Sequence, residues 1–501
     1  LRLDEVKITT IDTRSLTTRK PEEDCRFLTG KKSYSHYAVS LTCNNTRVFM
    51  KKIVFVATLC GLAAIAFYSV TYLKKTADAY LFAYPLALME ATRNNMVATE
   101  AHTSDENHLV QLRELPDHNF RAVVRPNNDT LYSITWFDLS QEPQIISAPE
   151  MGNNYYVLPF MDAWTNVFST VGTRTSGNQS QTFALVGPDW KGDLPSPLQR
   201  IDSPTNMVWM IARIEIKNLD NLDEAFAQQD QFRLTGLADW HQDKWRDNRI
   251  GRRDSSSPTT ALAPPDWVAS LDAQEFFELT RQLMATQYPS DQDQAAIHNL
   301  RDIGINPEQA FEPNFLQRYL MDFALEKTRA TLLDRANNRQ PNENNWFVIR
   351  DGIGRYGQNY KARAFIAQFG LGALPPEEAS YPNTAHDSSL QPLDGRYRYR
   401  IHWDREQLPP VNAFWSLTIY DDSGYMIDNS IGRYRIGSNN QLQWNTDGSL
   451  ELQLQNKTPD SQNSNWLPIP EGRFNMVLRL YWPDQSFLQG QWQLPVIERL
   501  P

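Results

Sequence analysis

The sequence predicts a mixed α+β protein, mainly β. Its expected plan is two antiparallel β-sandwich or jelly-roll-like domains, a helical segment between them, and an N-terminal transmembrane or signal helix. Three observations carry this reading. Runs of β-branched and aromatic residues, broken by Pro, Gly and Asn about every ten residues, fill 120–216 and return after Tyr397. Between Asp220 and Arg335 the apolar residues instead recur at three and four. Ahead of both lies Ile53–Leu73, a run of 21 residues without a charge.

The elements follow in chain order. Lys51-Lys52 and Lys74-Lys75 bracket the uncharged run, and about 20 apolar residues span a bilayer as a helix. A membrane anchor through residues 53–73 is the first reading. The second is a cleaved signal peptide with Ala64-Ile65-Ala66 as its site. A short basic N-terminus before a first span usually stays in the cytoplasm, so the body is expected in the periplasm, inner-membrane-anchored or secreted. Met50 reads as a natural start, and residues 1–49 as a disordered or artefactual extension; residues 50–75 form the anchor or signal. Ala77–Met96 reads as a helix with a kink at Pro85.

Residues 76–216 then form the N-terminal β-rich domain, with strand-like runs in RAVVRPNNDTLYSITWFDL, PQIISAP, NNYYVLPFMDAW, NVFSTVGTR, QTFALVG and NMVWMIARIEI. Residues 217–340 form the helical segment. Asp272 is its clearest N-cap, with Glu275 in the first turn. Residues 341–501 form the C-terminal β domain, in which Asp447-Gly448 marks a tight turn.

Composition limits the chemistry. The chain has 501 residues and a net charge of −10, which argues against a nucleic-acid partner. The leader is basic, with nine Lys+Arg against six Asp+Glu in residues 1–49, so the body is the acidic part. Cys25, Cys43 and Cys60 all precede the body, which leaves it no thiol nucleophile and no Cys-ligated zinc. The eight His form no metal-ligating pattern, and no metal or cofactor is expected. The one G-x-G-x-x-G, Gly352 to Gly357, lacks the β/α alternation a dinucleotide site needs and reads as a loop.

Three polar clusters sit where strands turn. The first runs from Arg125 through Asn127, Asn128 and Asp129 to Tyr132: a rigid turn, or a carboxylate and amides at a pocket mouth. The second joins Asp162, Trp164 and Asn166 to Arg174, which could pair with Asp129 or Asp162. The third gathers Asn412, Phe414, Trp415, Tyr420, Asn429, Arg433, Tyr434, Trp466, Arg479 and Tyr481 in the C-terminal sheets. Rings, amides and a guanidinium there suit a glycan or another flat ligand. Asp129, Asp162 and Arg174 are the catalytic candidates, since paired carboxylates can hydrolyse glycosides when suitably spaced.

These same segments resemble a known bacterial domain pair. AYLFAYPL, RPNNDTLYSITWFDLSQEP and YYVLPFMDAWTNVFSTVGTRTSGN resemble domain of unknown function 1254; PPVNAFWSLTIYD, NSIGRYRIGS and RLYWP resemble domain of unknown function 1214. The resemblance implies an exported or envelope-associated protein with two β-rich domains, and no established reaction. Three functions compete. The first is binding of a glycan or small amphiphile in a cleft between the β domains, the second a hydrolase or lyase, the third a non-catalytic scaffold. The oligomeric state stays open.

Overall fold

The computed structural model describes residues 38–98, 106–120, 125–219, 221–251, 262–337, 339–459 and 465–501. Most of the expected extension, residues 1–37, lies outside them. The architecture is mixed α+β and mainly β, with several sheets and a long apolar N-terminal helix.

That helix, α1 (Ala38–Ala98), is long and apolar enough to cross a membrane. It starts twelve residues before Met50, within the stretch expected to lack structure. Residues 38–49 hold no Pro or Gly, and extending a nucleated helix costs little. Pro85 lies inside it. The chain divides into two compact units, one ending at Phe67 and one spanning Tyr68–Pro501. In the first, Ile53, Val54, Phe55, Leu59, Leu62, Ile65 and Phe67 are all exposed.

The second unit opens with the buried end of α1, from Tyr80 to Met89. Ten strands follow: β1 (Val110–Leu112), β2 (Thr130–Asp138), β3 (Gln144–Ala148), β4 (Tyr156–Asp162), β5 (Val167–Gly172), β6 (Gln181–Val186), β7 (Gln199–Asp202), β8 (Met207–Glu215), β9 (Arg233–Gly236) and β10 (Arg249–Gly251). They form a six-stranded sheet, β10-β1-β2-β8-β4-β5, and a four-stranded sheet, β7-β6-β3-β9. β8 pairs antiparallel with both β2 and β4, and every one of its residues is buried. Side chains alternate along a strand. Val208, Met210, Ala212 and Ile214 accordingly pack with Ile146, Phe183 and Leu185 of the smaller sheet. Met207, Trp209 and Ile211 face the helices.

Those helices include α2 (Asp223–Gln229), α3 (Leu237–Trp240), α4 (Pro264–Ser270), α5 (Ala273–Met284), α6 (Gln294–Asp302), α7 (Phe315–Asn337) and α8 (Tyr360–Gly370). The helical stretch is less uniform than its periodicity suggested. β9 and β10 interrupt it and pair with β3 and β1. They are only three or four residues long, too short for any period, and their partners lie far away in sequence. From α4 onward the helices share one core with the end of α1 and with Trp136, Trp164 and Trp209. They cover a face of the six-stranded sheet.

The C-terminal lobe contains β11 (Ala379–Ser380), β12 (Asn383–Thr384), β13 (Arg398–Trp403), β14 (Trp415–Asp421), β15 (Arg435–Gly437), β16 (Leu450–Gln455), β17 (Trp466–Pro468), β18 (Phe474–Tyr481) and β19 (Ile497–Leu500). One sheet runs β11-β18-β14-β15, with β12 also on β18; the other runs β17-β16-β13-β19. Tyr399, Ile401 and Trp403 of β13 share a core with Leu417 and Ile419 of β14 and with Met476, Leu478 and Leu480 of β18. The expected G-x-G-x-x-G loop is a loop. Gly352, Gly354 and Gly357 all take positive φ, and the Gly354 carbonyl accepts the Val167 N–H.

Asp272 caps α5 as its sequence suggests. Its carboxylate accepts the Glu275 N–H at 2.8 Å, and Glu275 accepts the Asp272 N–H at 3.0 Å. Asp272→Ala removes this reciprocal pair and should cost about 1 kcal/mol. The check is a urea midpoint that falls while the slope stays unchanged.

Candidate ligand-binding site

The first polar cluster is the joint between the lobes. Asp129 is fully buried. Arg435 Nε stands 2.9 Å from its Oδ1, but that N–H is aimed at the Asn128 carbonyl, 3.2 Å away. Oδ1 therefore receives charge without a hydrogen bond. The other oxygen accepts hydrogen bonds from Ser416 (2.8 Å) and the Tyr481 hydroxyl (3.2 Å), and lies 4.0 Å from Arg479 Nε. Asn127 spans the same joint, donating to Thr130 at 3.1 Å and to the Tyr481 hydroxyl at 2.9 Å. Tyr420 donates to the Pro126 carbonyl. The turn from Arg125 to Thr130 is thus a plug seated on the outer face of β14, β15 and β18.

Arg174 is not the partner of either nominated Asp. It pairs with Glu378 at 2.5 Å, and Tyr155 donates to the same carboxylate at 2.8 Å. Burial holds the Glu378 carboxyl above its usual range, with Arg174 opposing. Around this contact Tyr155, Val157, Phe414 and Tyr481 form an apolar cluster, in which Phe414 and Tyr481 stack at 4.1 Å.

The nominated carboxylates are far apart. Thr130 registers with Glu215 and Asp162 with Val208, so they sit at opposite ends of β8. Seven residues of strand measure roughly 23 Å. Paired acids for glycoside hydrolysis stand roughly 5–10 Å apart. Asp162 instead organises its own turn, accepting the N–H groups of Trp164 (2.9 Å) and Asn166 (2.8 Å) and the Asn166 amide (3.0 Å).

Apart from Arg479, the third cluster does not gather round a hollow. Trp415 is a core residue, 5.4 Å from Trp403. Trp466 donates to the Gln455 carbonyl, and Arg433 to the Trp466 carbonyl. Asn429 ties its own turn by accepting the Arg433 N–H, and Asn412 donates to the Trp482 carbonyl. Trp164 is buried among helices and donates to the Tyr288 carbonyl. Asn128 is buried beside Asp129.

A cavity of about 380 Å³ does exist at the seam between the lobes, and of the clustered residues it takes Arg125, Asn127, Tyr132 and Arg479. β8 contributes Trp209, Ile211 and Arg213; β18 contributes Val477 and Arg479; α8 contributes Phe365, Ile366 and Phe369. Alternation explains the first two sets. Each strand spends one face on its own lobe's core and turns the other toward the seam. Arg125, Arg339 and Tyr381 complete the polar wall. Most of the lining is apolar, and among the described residues its charged members are four arginines, with no Asp or Glu. A usable signal was present in the sequence: Arg213 in NMVWMIARIEI and Arg479 in RFNMVLRLYW are charges set within largely apolar strands. Such a charge must face a partner or a polar hollow.

The class this fold and seam define is a two-lobed α+β protein with one cavity-bearing joint. Residues 106–236 match the family model described as Protein of unknown function (DUF1254), and residues 378–485 match Protein of unknown function (DUF1214). The chain carries the two domains in that order. The VPA0106 protein from Vibrio parahaemolyticus has a similar structure: TM-score 0.63 at 23% identity, covering 86% of this chain and 100% of that one. An uncharacterised protein from Burkholderia cenocepacia gives a TM-score of 0.41 at 13% identity, covering 86% and 94%. No curated protein matches.

Two outcomes test the site's electrostatics. Asp129→Ala leaves Arg435 buried without its anion and should cost about 3–5 kcal/mol, read from the denaturation midpoint. Burial pushes the Asp162 carboxyl up to about 6 from its ordinary 3.8, against the hydrogen bonds from Asn166 and Trp164. A raised carboxyl binds its proton more tightly when folded, so its contribution is lost as pH climbs through that window. Asp162→Asn should therefore gain on the unmodified chain between about pH 4 and pH 6, by up to about 3 kcal/mol. Paired unfolding curves at the two pH values measure the difference.

Proposed function

We propose that this protein binds a small amphiphile in the cavity between its lobes and is held at the bacterial inner membrane with its body in the periplasm. One observation carries the binding reading: a hollow of about 380 Å³ whose wall is mostly apolar with a few convergent polar groups. That size and make-up suit small-molecule sites, which run from about 300 to 1,000 Å³. The side-chain amides in the wall are those of Asn127 and Asn383, too few to match the hydroxyls of a glycan. An amphiphile fits the lining better. The distance between Asp129 and Asp162 speaks against the hydrolase reading, and a scaffold would have no use for the hollow.

The membrane reading rests on α1 and on the lysine pair before its apolar run. A second feature supports it. Phe315, Leu316, Tyr319 and Phe323 make an exposed apolar stripe on α7, and Phe323 borders a groove shared with Leu73 and Lys74, where the apolar run ends. An exposed apolar stripe of this kind suits a lipid interface.

Trp209 lines the cavity and stacks on Trp136 at 4.9 Å and 5°, which makes it a built-in reporter. Titration with decanoate or dodecanoate below the micelle concentration should shift tryptophan emission saturably; neutral oligosaccharides should not. Ala373→Trp, which fills the cavity from its wall, should weaken the response about tenfold or more at an unchanged melting temperature. An unaltered titration in that variant would refute the assignment of the site.

A further inference from the structure

We infer that the polar end of this cavity is an anion site: Arg125 and Arg339, with Arg213 beside them, hold the carboxylate or phosphate head of an amphiphile whose tail lies against Trp209, Phe365 and Phe369. This rests on the binding reading above and names its ligand's chemistry.

The argument begins with the charge count. Acids outnumber bases in the chain, 59 Asp+Glu against 49 Lys+Arg, yet among the described residues the cavity wall has four arginines and no acid. One of the four is accounted for. Arg479 lies 4.0 Å from Asp129 and donates to Thr418, Tyr420 and the Arg125 carbonyl. Among the described residues, Arg125, Arg213 and Arg339 have no carboxylate within ion-pair distance.

Two of these are nevertheless held in place. Arg339 stacks on Phe347 at 3.8 Å and donates to Asn383. Arg213 donates to the Tyr381 hydroxyl at 3.0 Å and the Gly372 carbonyl at 2.8 Å, and lies over the Tyr132 ring. Its Nε is buried without a partner. Guanidiniums fixed in this way lose little freedom when a ligand arrives. Arg125 is an exposed residue of the wall.

The electrostatics agree. Burial and the charge of Arg125 push Arg339 down to about 10, and burial with the charge of Arg479 lowers Arg125. Cations that disfavour one another across a hollow are relieved by an anion between them. The planar guanidinium fork matches two oxygens of a carboxylate or phosphate.

The test compares heads on one tail, using the full chain in mild detergent-free nanodiscs at low salt. Dodecanoate and dodecyl phosphate should bind about tenfold or more tighter than dodecanol, and dodecyltrimethylammonium weakest, by tryptophan emission and calorimetry. Acetate and inorganic phosphate, heads without tails, should bind far more weakly than either acid. In Arg125→Gln/Arg339→Gln the two anions should lose about tenfold while dodecanol is unchanged; Arg339→Lys should keep most of the preference. Equal binding of dodecanoate and dodecanol in the unmodified chain overturns the anion site and leaves the cavity reading standing. Binding by neither removes the cavity reading itself. An equal loss of acid and alcohol in the double variant, at an unchanged melting temperature, also overturns the anion site. If that variant does not fold, the acid-to-alcohol ratio of the unmodified chain decides.

Discussion

A buried carboxylate must find a cation, and for Asp129 the cations lie on the other lobe. Its own lobe offers it the Asn127 amide's neighbourhood and backbone, while Arg435 and Arg479 come from β15 and β18. Removing either charge alone would strand the other in a low-dielectric setting. The turn RPNNDT and the strands RYRIG and RFNMVLRLYW are therefore obliged to meet. Arg174 with Glu378 repeats the arrangement in reverse, the cation now on the N-terminal lobe. Between the two ionic contacts the stacked rings of Phe414 and Tyr481 exclude water.

Once this joint is set, the cavity follows from strand geometry. β8 and β18 are each buried along their whole length, so neither has a solvent face to give away. Their second faces are spent on the seam. Where the seam is filled, as at Tyr481, it is a joint. Where the side chains are set back, as around Trp209, Ile211 and Val477, it is a hollow. Joint and cavity are two stretches of one interface, and the arginines of both strands stand where one passes into the other.

Much of this was legible in the sequence, and the gaps have physical causes. The long strands β2, β4, β8, β14 and β18 and the helix α5 announced themselves through period and capping. β9, β10 and β17 did not, because three or four residues carry no period and long-range pairing alone makes them strands. The polar clusters were visible, but their targets were not. A turn rich in Asn and Asp reads the same whether it faces a ligand or, as with Asp162, its own backbone. Aromatic residues of the C-terminal sheets read the same in a groove as in a core, where Trp415 lies. Asn127 and Tyr132 reach the cavity because they flank the joint. Arg339 could not be foreseen, since nothing local distinguishes it from a solvated arginine.

An arginine without a carboxylate is not by itself a ligand site, and Arg363 shows why. It is buried, and it lies within about 5 Å of the rings of Phe82, Trp164 and Tyr360, donating to the Phe82 carbonyl. Asp162 and Asp293 favour its charge from a distance. Its Nε is buried without a hydrogen-bond partner, yet the guanidinium is packed against rings and forms no part of the cavity wall. Arg125 and Arg339 differ in one respect. Both front a space large enough for a ligand, and among the described residues neither has a carboxylate within ion-pair distance. Closing that space with apolar side chains would remove the unfavourable charges at no cost to the joint, which Asp129 and Glu378 already hold. Arg479 belongs to both the hollow and the joint, whereas the guanidiniums of Arg125 and Arg339 make no ion pair with Asp129 or Glu378.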